Sequence, residues 1–264
     1  MTTCYDVFAE CARAIDGNES IQAISVQDKE FHFQNWFQQR LATVSFDFDE
    51  PGRNTYPDFR LVNHPEGYEI KGLAVPGRDK NYDSNSQIPT GIHHGRTIFY
   101  VFGRYPQDRT AKEYPVIDLV LCHGAFLNTD TAYIHQNKSV KGFGSYGDIM
   151  VRDRKMYVVP TPFALTSGTI GTKTLILPES FPTDERFTKV GDLIRLEAKE
   201  LVIGYTFDLQ TNVLTAEKRP NPSAGKEHRF AAYRLTTQNG KAVTMTVDNQ
   251  HDVFDVIATE ADEE

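Results

Sequence analysis

Two stretches of this 264-residue chain are apolar almost without interruption, Thr97-Ile98-Phe99-Tyr100-Val101-Phe102 and Val116-Ile117-Asp118-Leu119-Val120-Leu121. A strand with one wet face alternates apolar and polar residues; runs apolar at both parities are strands covered on both sides. A chain containing two of them must lay material over both faces of a sheet. The expected class is therefore α/β, a mixed central β-sheet flanked by helices.

Helical spacing precedes these runs. Behind Thr3 as N-cap, Tyr5, Phe8, Ala12 and Ile15 recur on one face until Asp16-Gly17 ends the pattern. A second helix starts at Ser25, with Asp28 completing the cap, and gathers Val26, Phe33, Trp36, Phe37 and Leu41. Glu30 falls within that apolar face, an unusual place for a carboxylate. After a polar turn at 47–54 the period changes to two. Residues 58–62 and 68–75 read as a hairpin joined by Asn63-His64-Pro65-Glu66-Gly67. A polar stretch at 76–96 reads as a long loop, of the kind that carries function in compact domains. From about residue 150 short strand candidates dominate, at 156–159, 193–196, 201–207, 230–235 and 242–247. The expected division is a core at 1–165 and a β-rich C-terminal portion at 166–264, packed on the core or continuous with it.

Several classes are excluded. No apolar run approaches the roughly 20 residues that span a bilayer. Residues 1–14 carry Asp6 and Glu10 without a basic flank, unlike a signal peptide. Cys4, Cys11 and Cys122 make neither a disulfide framework nor a zinc set. The expectation is a reduced, cytoplasmic protein. The net charge of −8 is concentrated at the end, because residues 252–264 hold six acids and no base, which leaves −2 elsewhere. Charge therefore does not exclude a nucleic-acid partner, which responds to the local patch that faces it. The tail is expected to be disordered, although Val253, Phe254, Val256 and Ile257 could form a terminal strand.

One constellation has a mechanical reading. Pro57-Asp58 is followed ten residues later by Glu69-Ile70-Lys71. Residues two apart on a strand share a face, so Glu69 and Lys71 lie side by side. Asp58, on the partner strand, reaches the same edge. Two carboxylates and an amine are what hydrolysis of a phosphodiester with Mg²⁺ requires. The carboxylates hold a hard cation that keeps several waters, and the ammonium offsets charge building on the phosphate.

The Pro57-Asp58…Glu69-x-Lys71 pattern resembles the PD-(D/E)xK nuclease superfamily, specifically type II restriction endonucleases. The resemblance covers about 25–125, and 114–124 is similar to the core strand and exit turn of such enzymes. It implies a restriction-endonuclease-like fold, Asp58 and Glu69 as metal ligands, and Lys71 as the amine near the attacking water. Glu30 is the candidate for the further acidic residue that members draw from the preceding helix; hydrogen bonding to a neighbouring backbone or lysine is the other account of it. The implied function is Mg²⁺-dependent cleavage of double-stranded DNA at a short sequence, leaving 5′-phosphate and 3′-hydroxyl ends. Mn²⁺ is expected to substitute, no organic cofactor is implied, and a palindromic target implies a homodimer.

DNA contacts have two candidate sources. Residues 137–157 interleave Lys138, Lys141, Arg152, Arg154 and Lys155 with glycines and aromatics, as suits backbone approach to phosphates. The polar stretch after the ExK strand offers Asn85, Gln87, His93, His94 and Arg96, which include side chains suited to base edges. Solvated turns are the alternative in both cases, and 218–229 reads as a plain polar turn. Gly142 to Gly147 matches G-x-G-x-x-G by letters without the strand and helix that motif needs. Residues 168–174 miss the P-loop spacing, no G-x-S-x-G elbow exists, and the isolated pair His93-His94 lacks the partners of a histidine-metal nuclease. Two other readings stay open: a repair, transposition or modification-dependent nuclease of the same fold, or a non-catalytic β-rich binding module.

Overall fold

The structure is a computed structural model, and it describes residues 3–23, 29–49, 55–77, 79–85, 87–107, 111–129, 145–146, 149–153, 156–208, 210–211, 213–238 and 241–245. The chain opens with α1 (Cys4–Asp16), β1 (Ile21–Gln22), α2 (Lys29–Thr43), β2 (Phe48–Asp49), β3 (Phe59–Leu61) and β4 (Glu66–Val75). Then come β5 (Asn81–Asn85), β6 (Ile92–His93), β7 (Arg96–Pro106), β8 (Glu113–Tyr114), β9 (Asp118–His123) and a 3-10 turn at Gly124–Phe126. The next elements are β10 (Met150–Asp153), β11 (Met156–Pro160), the one-turn α3 (Pro162–Leu165), β12 (Thr166–Ser167) and β13 (Lys173–Pro178). The last are β14 (Phe187–Leu196), β15 (Glu200–Asp208), β16 (Val213–Pro220), β17 (Glu227–Leu235) and β18 (Thr244–Met245).

The main sheet is mixed and runs β14-β17-β13-β9-β7-β4-β3-β2. Strands β4 and β7 are parallel, as are β9 and β13; the other pairs along this path are antiparallel. The two apolar runs of the sequence lie in β7 and β9, at its centre. Alternation along them feeds two cores. Phe99, Val101, Leu119 and Leu121 face one core, with Phe8, Phe33 and Phe37 from the two long helices. Tyr100, Phe102, Val120 and Cys122 face the other, with Tyr82, Phe126, Tyr157, Val159 and Phe163.

The two long helices, α1 and α2, thus lie on one face of this mixed sheet. The second face is roofed by a three-stranded sheet, β10-β11-β5, together with the 3-10 turn and α3. One of the three strands of this roof, β5, comes from the stretch expected to be a loop. Tyr82 is the one apolar side chain of β5, so no periodicity marked the strand; pairing with β11 in register from Asn81↔Pro160 to Asn85↔Met156 defines it. The proposed boundary at 165/166 falls inside one hydrogen-bonded sheet, because β13 pairs with β9 from Lys173↔Leu119 to Ile176↔Cys122. Lys218 and Arg219 belong to β16 and Arg229 to β17, so the polar turn expected at 218–229 shrinks to the connection between those strands. No helix among the described residues is long and apolar enough to cross a membrane.

Two contacts fix the helices. Thr3 occupies the N-cap position of α1 but makes no side-chain cap bond. Its backbone N–H instead donates to both oxygens of Glu66, at 3.1 and 3.2 Å, so a carboxylate from β4 sits at the positive end of the helix. Ser25, Val26 and Asp28 lie outside the described residues. Helix α2 approaches the sheet through Phe33, whose ring lies on Gly103, where an added Cβ would come within 2.1 Å of the ring. Gly103→Ala is therefore expected to displace Phe33 and to cost about 1–3 kcal/mol. Urea midpoints at unchanged slope measure this, and an unchanged midpoint would show that α2 does not dock here.

Candidate active site

Strands β3 and β4 pair at Phe59↔Tyr68 and Arg60↔Gly67, a register that sets Asp58 opposite Glu69. At that step the backbone ladder gives way to side chains. The Asp58 N–H donates to Glu69 Oε2 at 3.2 Å, and the Ile70 N–H donates to Asp58 Oδ2 at 2.7 Å. The two carboxylates thus take up backbone groups that a continuing hairpin would have paired, and they hold the edge open. Lys71, two residues along β4, returns to the same face; its Nζ lies 2.8 Å from Glu69 Oε1. Tyr68 and Ile70 point the other way, into the helix-covered core. The structure therefore brings Asp58, Glu69 and Lys71 together.

The site is largely withdrawn from water. Glu69 is buried and Lys71 half-buried. Burial and then the charge of Glu69 push the Asp58 carboxyl up from the ordinary 3.8 to about 7, against the pull of Lys71, the Ile70 N–H and a hydrogen bond with the Gln34 side chain. A tyrosine wall adjoins it. The Tyr56 and Tyr100 hydroxyls are 2.9 Å apart, and the Lys71 ammonium lies 5.6 Å from the Tyr82 ring centre. Burial raises the Tyr56 and Tyr100 phenols, which keeps them neutral.

The donor set decides which group could bind. Among the described residues no three His, Cys, Asp or Glu side chains cluster as metal ligands, which argues against a closed, protein-only cage. Two adjacent carboxylates that repel each other in a poorly hydrated place fit a hard divalent cation whose remaining positions go to water and substrate oxygens. Glu30 lies in the first turn of α2, four residues before Gln34, and its side chain is outside the described residues. Gln34 reaches Asp58 from that helix instead. Sequence reasoning missed Gln34 and the three tyrosines. Tyr56 adjoins Pro57 and was open to notice; the others arrive from distant strands and α2.

The expected DNA contacts divide. His93 and His94 occupy a tight hairpin in which Ile92↔Thr97 and His93↔Arg96 pair across a two-residue turn. His94 and Gly95 have φ of 47° and 75°, the positive values that a type I′ turn demands. The His93 ring packs edge-on against Tyr56 at 4.8 Å, which brings this hairpin to the border of the carboxylates. Arg96 directs Nη1 at the carbonyls of Leu61 and His64, at 2.7 and 2.9 Å, so this nitrogen ties the β3–β4 turn. Gln87 Nε2 donates to Ile88 O at 2.8 Å. Asn85 ends β5 and Arg152 lies in β10, but their side chains are outside the described residues, as are Lys138, Lys141, Arg154 and Lys155 altogether.

No protein-family model, curated protein or solved structure matches the chain.

Proposed function

We propose that this chain is a Mg²⁺-dependent endonuclease with a PD-(D/E)xK site, hydrolysing phosphodiester bonds of double-stranded DNA at a short recognition sequence in the manner of type II restriction enzymes. What carries this is the convergence of Asp58, Glu69 and Lys71 on one face of a hairpin whose ladder opens there. Asp58 and Glu69 would hold the cation, which when bound polarises a phosphate oxygen and acidifies a water; Mn²⁺ shares the preference for oxygen ligands.

The remaining work falls to the chain. Glu69 fixes the Lys71 ammonium at 2.8 Å, so that the positive charge stands ready as negative charge builds on the phosphate. The Ile70 N–H and Gln34 hold the Asp58 carboxylate in one orientation. The tyrosine wall lowers the local dielectric, which strengthens each of these interactions. Action on a palindrome would use a homodimer, one protomer per strand.

The test is incubation with mixed plasmid DNA and Mg²⁺ or Mn²⁺, followed by sequencing of the fragment ends. Discrete fragments sharing one sequence at their 5′-phosphate ends are the expected result. Absence of cleavage with both metals would overturn the proposal. Cleavage confined to damaged or modified DNA would keep the site and assign it to a repair or modification-dependent nuclease.

A further inference from the structure

Arg234, on β17, is a buried cation that makes no ion pair among the described residues. It is 1% exposed, and its Nε and Nη1 are buried without a hydrogen-bond partner among the described residues. Nη2 donates to Gly168 O at 2.6 Å and more distantly to Thr172 Oγ1 at 3.4 Å. The contrast with two other buried arginines is direct. Arg104 grips Asp118 and Asp79, and Arg40 pairs with Glu19 and Glu10. A guanidinium does not shed its proton at any ordinary pH, so burial without an anion leaves a full charge poorly solvated.

The surroundings are threonine hydroxyls and the backbone of one turn: the Thr172 hydroxyl donates to Thr169 O at 2.9 Å, and the Gly171 N–H donates to Asp118 Oδ2 at 2.7 Å. Thr174 stands directly across from Arg234, since β13 and β17 pair with Leu175 opposite Tyr233. Thr172 Oγ1 lies 3.1 Å from Thr174 Oγ1, and Thr166 Oγ1 lies 3.2 Å from Thr169 Oγ1. A turn at 168–172 shields the guanidinium, with φ of 89° at Gly168 and 73° at Gly171. The tip of that turn faces outward, while Thr169 within it is buried. Ile170 at its tip is 64% exposed, and a Cβ on Gly171 would meet nothing within 4 Å. Entry of a ligand to Arg234 requires this turn to yield the bonds from Arg234 Nη2 to Gly168 O and from the Gly171 N–H to Asp118 Oδ2.

We propose that Arg234 and the hydroxyls of Thr172 and Thr174 form a binding site for a small oxyanion of the phosphate class, closed over by the 168–172 turn. Two of the three guanidinium nitrogens retain donors for such an anion, and the Thr172 hydroxyl, which donates to Thr169 O, would turn from that carbonyl to the anion. The site is separate from the carboxylate centre. Through Thr174, Val120 and Phe102 the strand register puts Arg234 in one cross-strand row with Lys71, four strands away. At the usual spacing between strands this is roughly 19 Å. The proposal therefore stands or falls independently of nuclease activity.

The test is titration of the full chain with inorganic phosphate against chloride of matched ionic strength, read by thermal unfolding and by calorimetric binding. Wild type is expected to bind close to one phosphate, with Tm rising by about 5 °C at a hundredfold excess over Kd. Arg234→Met should remove both effects and, without phosphate, should unfold no lower than wild type, because it deletes an unpaired charge. Thr172→Val should weaken binding while leaving Arg234 in place, and Asp58→Asn should bind as wild type does. Absence of saturable binding by wild type would overturn the site, whether or not any variant folds. So would a phosphate effect that survives in Arg234→Met.

Discussion

Glu69→Gln and Lys71→Met are each expected to lower DNA cleavage by about a thousandfold while leaving duplex binding within a few-fold of wild type. The reasoning is electrostatic. Glutamine retains the shape and one acceptor oxygen of Glu69, so the Asp58 N–H keeps its partner, but the charge that anchors Lys71 at 2.8 Å is gone. Methionine retains the stem of Lys71 against Tyr82 and removes the ammonium. Neither change opens a cavity, so a loss of rate with an unshifted melting temperature separates chemistry from folding. Binding measured with Ca²⁺ or without metal, and single-turnover cleavage with Mg²⁺, give the two readouts. Full cleavage by both variants would remove this site from the mechanism. A partial loss in Glu69→Gln with a complete loss in Lys71→Met would mean that the ammonium is held by the fold rather than by its ion pair.

How far the site could be read in advance depended on how local each relation is. Glu69 and Lys71 share a face because a pleated strand has a period of two, and Asp58 joins them because a hairpin's register follows from its turn. These rules need only neighbouring residues. The two apolar runs were equally direct, since burial on both faces leaves no polar parity. The roof over the second face was hidden because β5 and β11 stand more than seventy residues apart, and β5 offers only Tyr82 as an apolar mark. Gln34 is polar on a helix read for its apolar stripe, and it gains meaning only where α2 meets the end of β3. Arg96 shows the reverse. Its type suggested base contacts, but its position at the start of β7 sets Nη1 on the carbonyls of Leu61 and His64. Thr3 carries the same lesson: a competent capping side chain was displaced by Glu66, a carboxylate sixty-three residues away.

Asp58→Asn is expected to stabilise the metal-free protein in neutral and alkaline solution and to do nothing at pH 3.5. The folded chain holds the Asp58 proton up to about pH 7, whereas the unfolded chain releases it near the ordinary 3.8. A group whose folded value is raised contributes its full stability below the unfolded value and loses it as pH rises through the folded one. Between pH 4 and 7 the wild type should therefore lose stability, on the order of a few kcal/mol, that the variant retains. Asparagine keeps an oxygen for the Ile70 N–H, so the bond that orients residue 58 survives and the charge alone is removed. Urea unfolding in EDTA from pH 3.5 to 9 measures the difference; equal slopes for the two proteins, or a variant that falls behind as pH rises, would contradict it. Adding Mg²⁺ at pH 8 should restore much of the lost stability to wild type and little to Asp58→Asn, because a cation can offset the strain between two carboxylates only where both are charged. The same substitution should abolish cleavage. A residue that costs the fold stability at the pH where its charge is needed is what a site held for chemistry, rather than for structure, predicts.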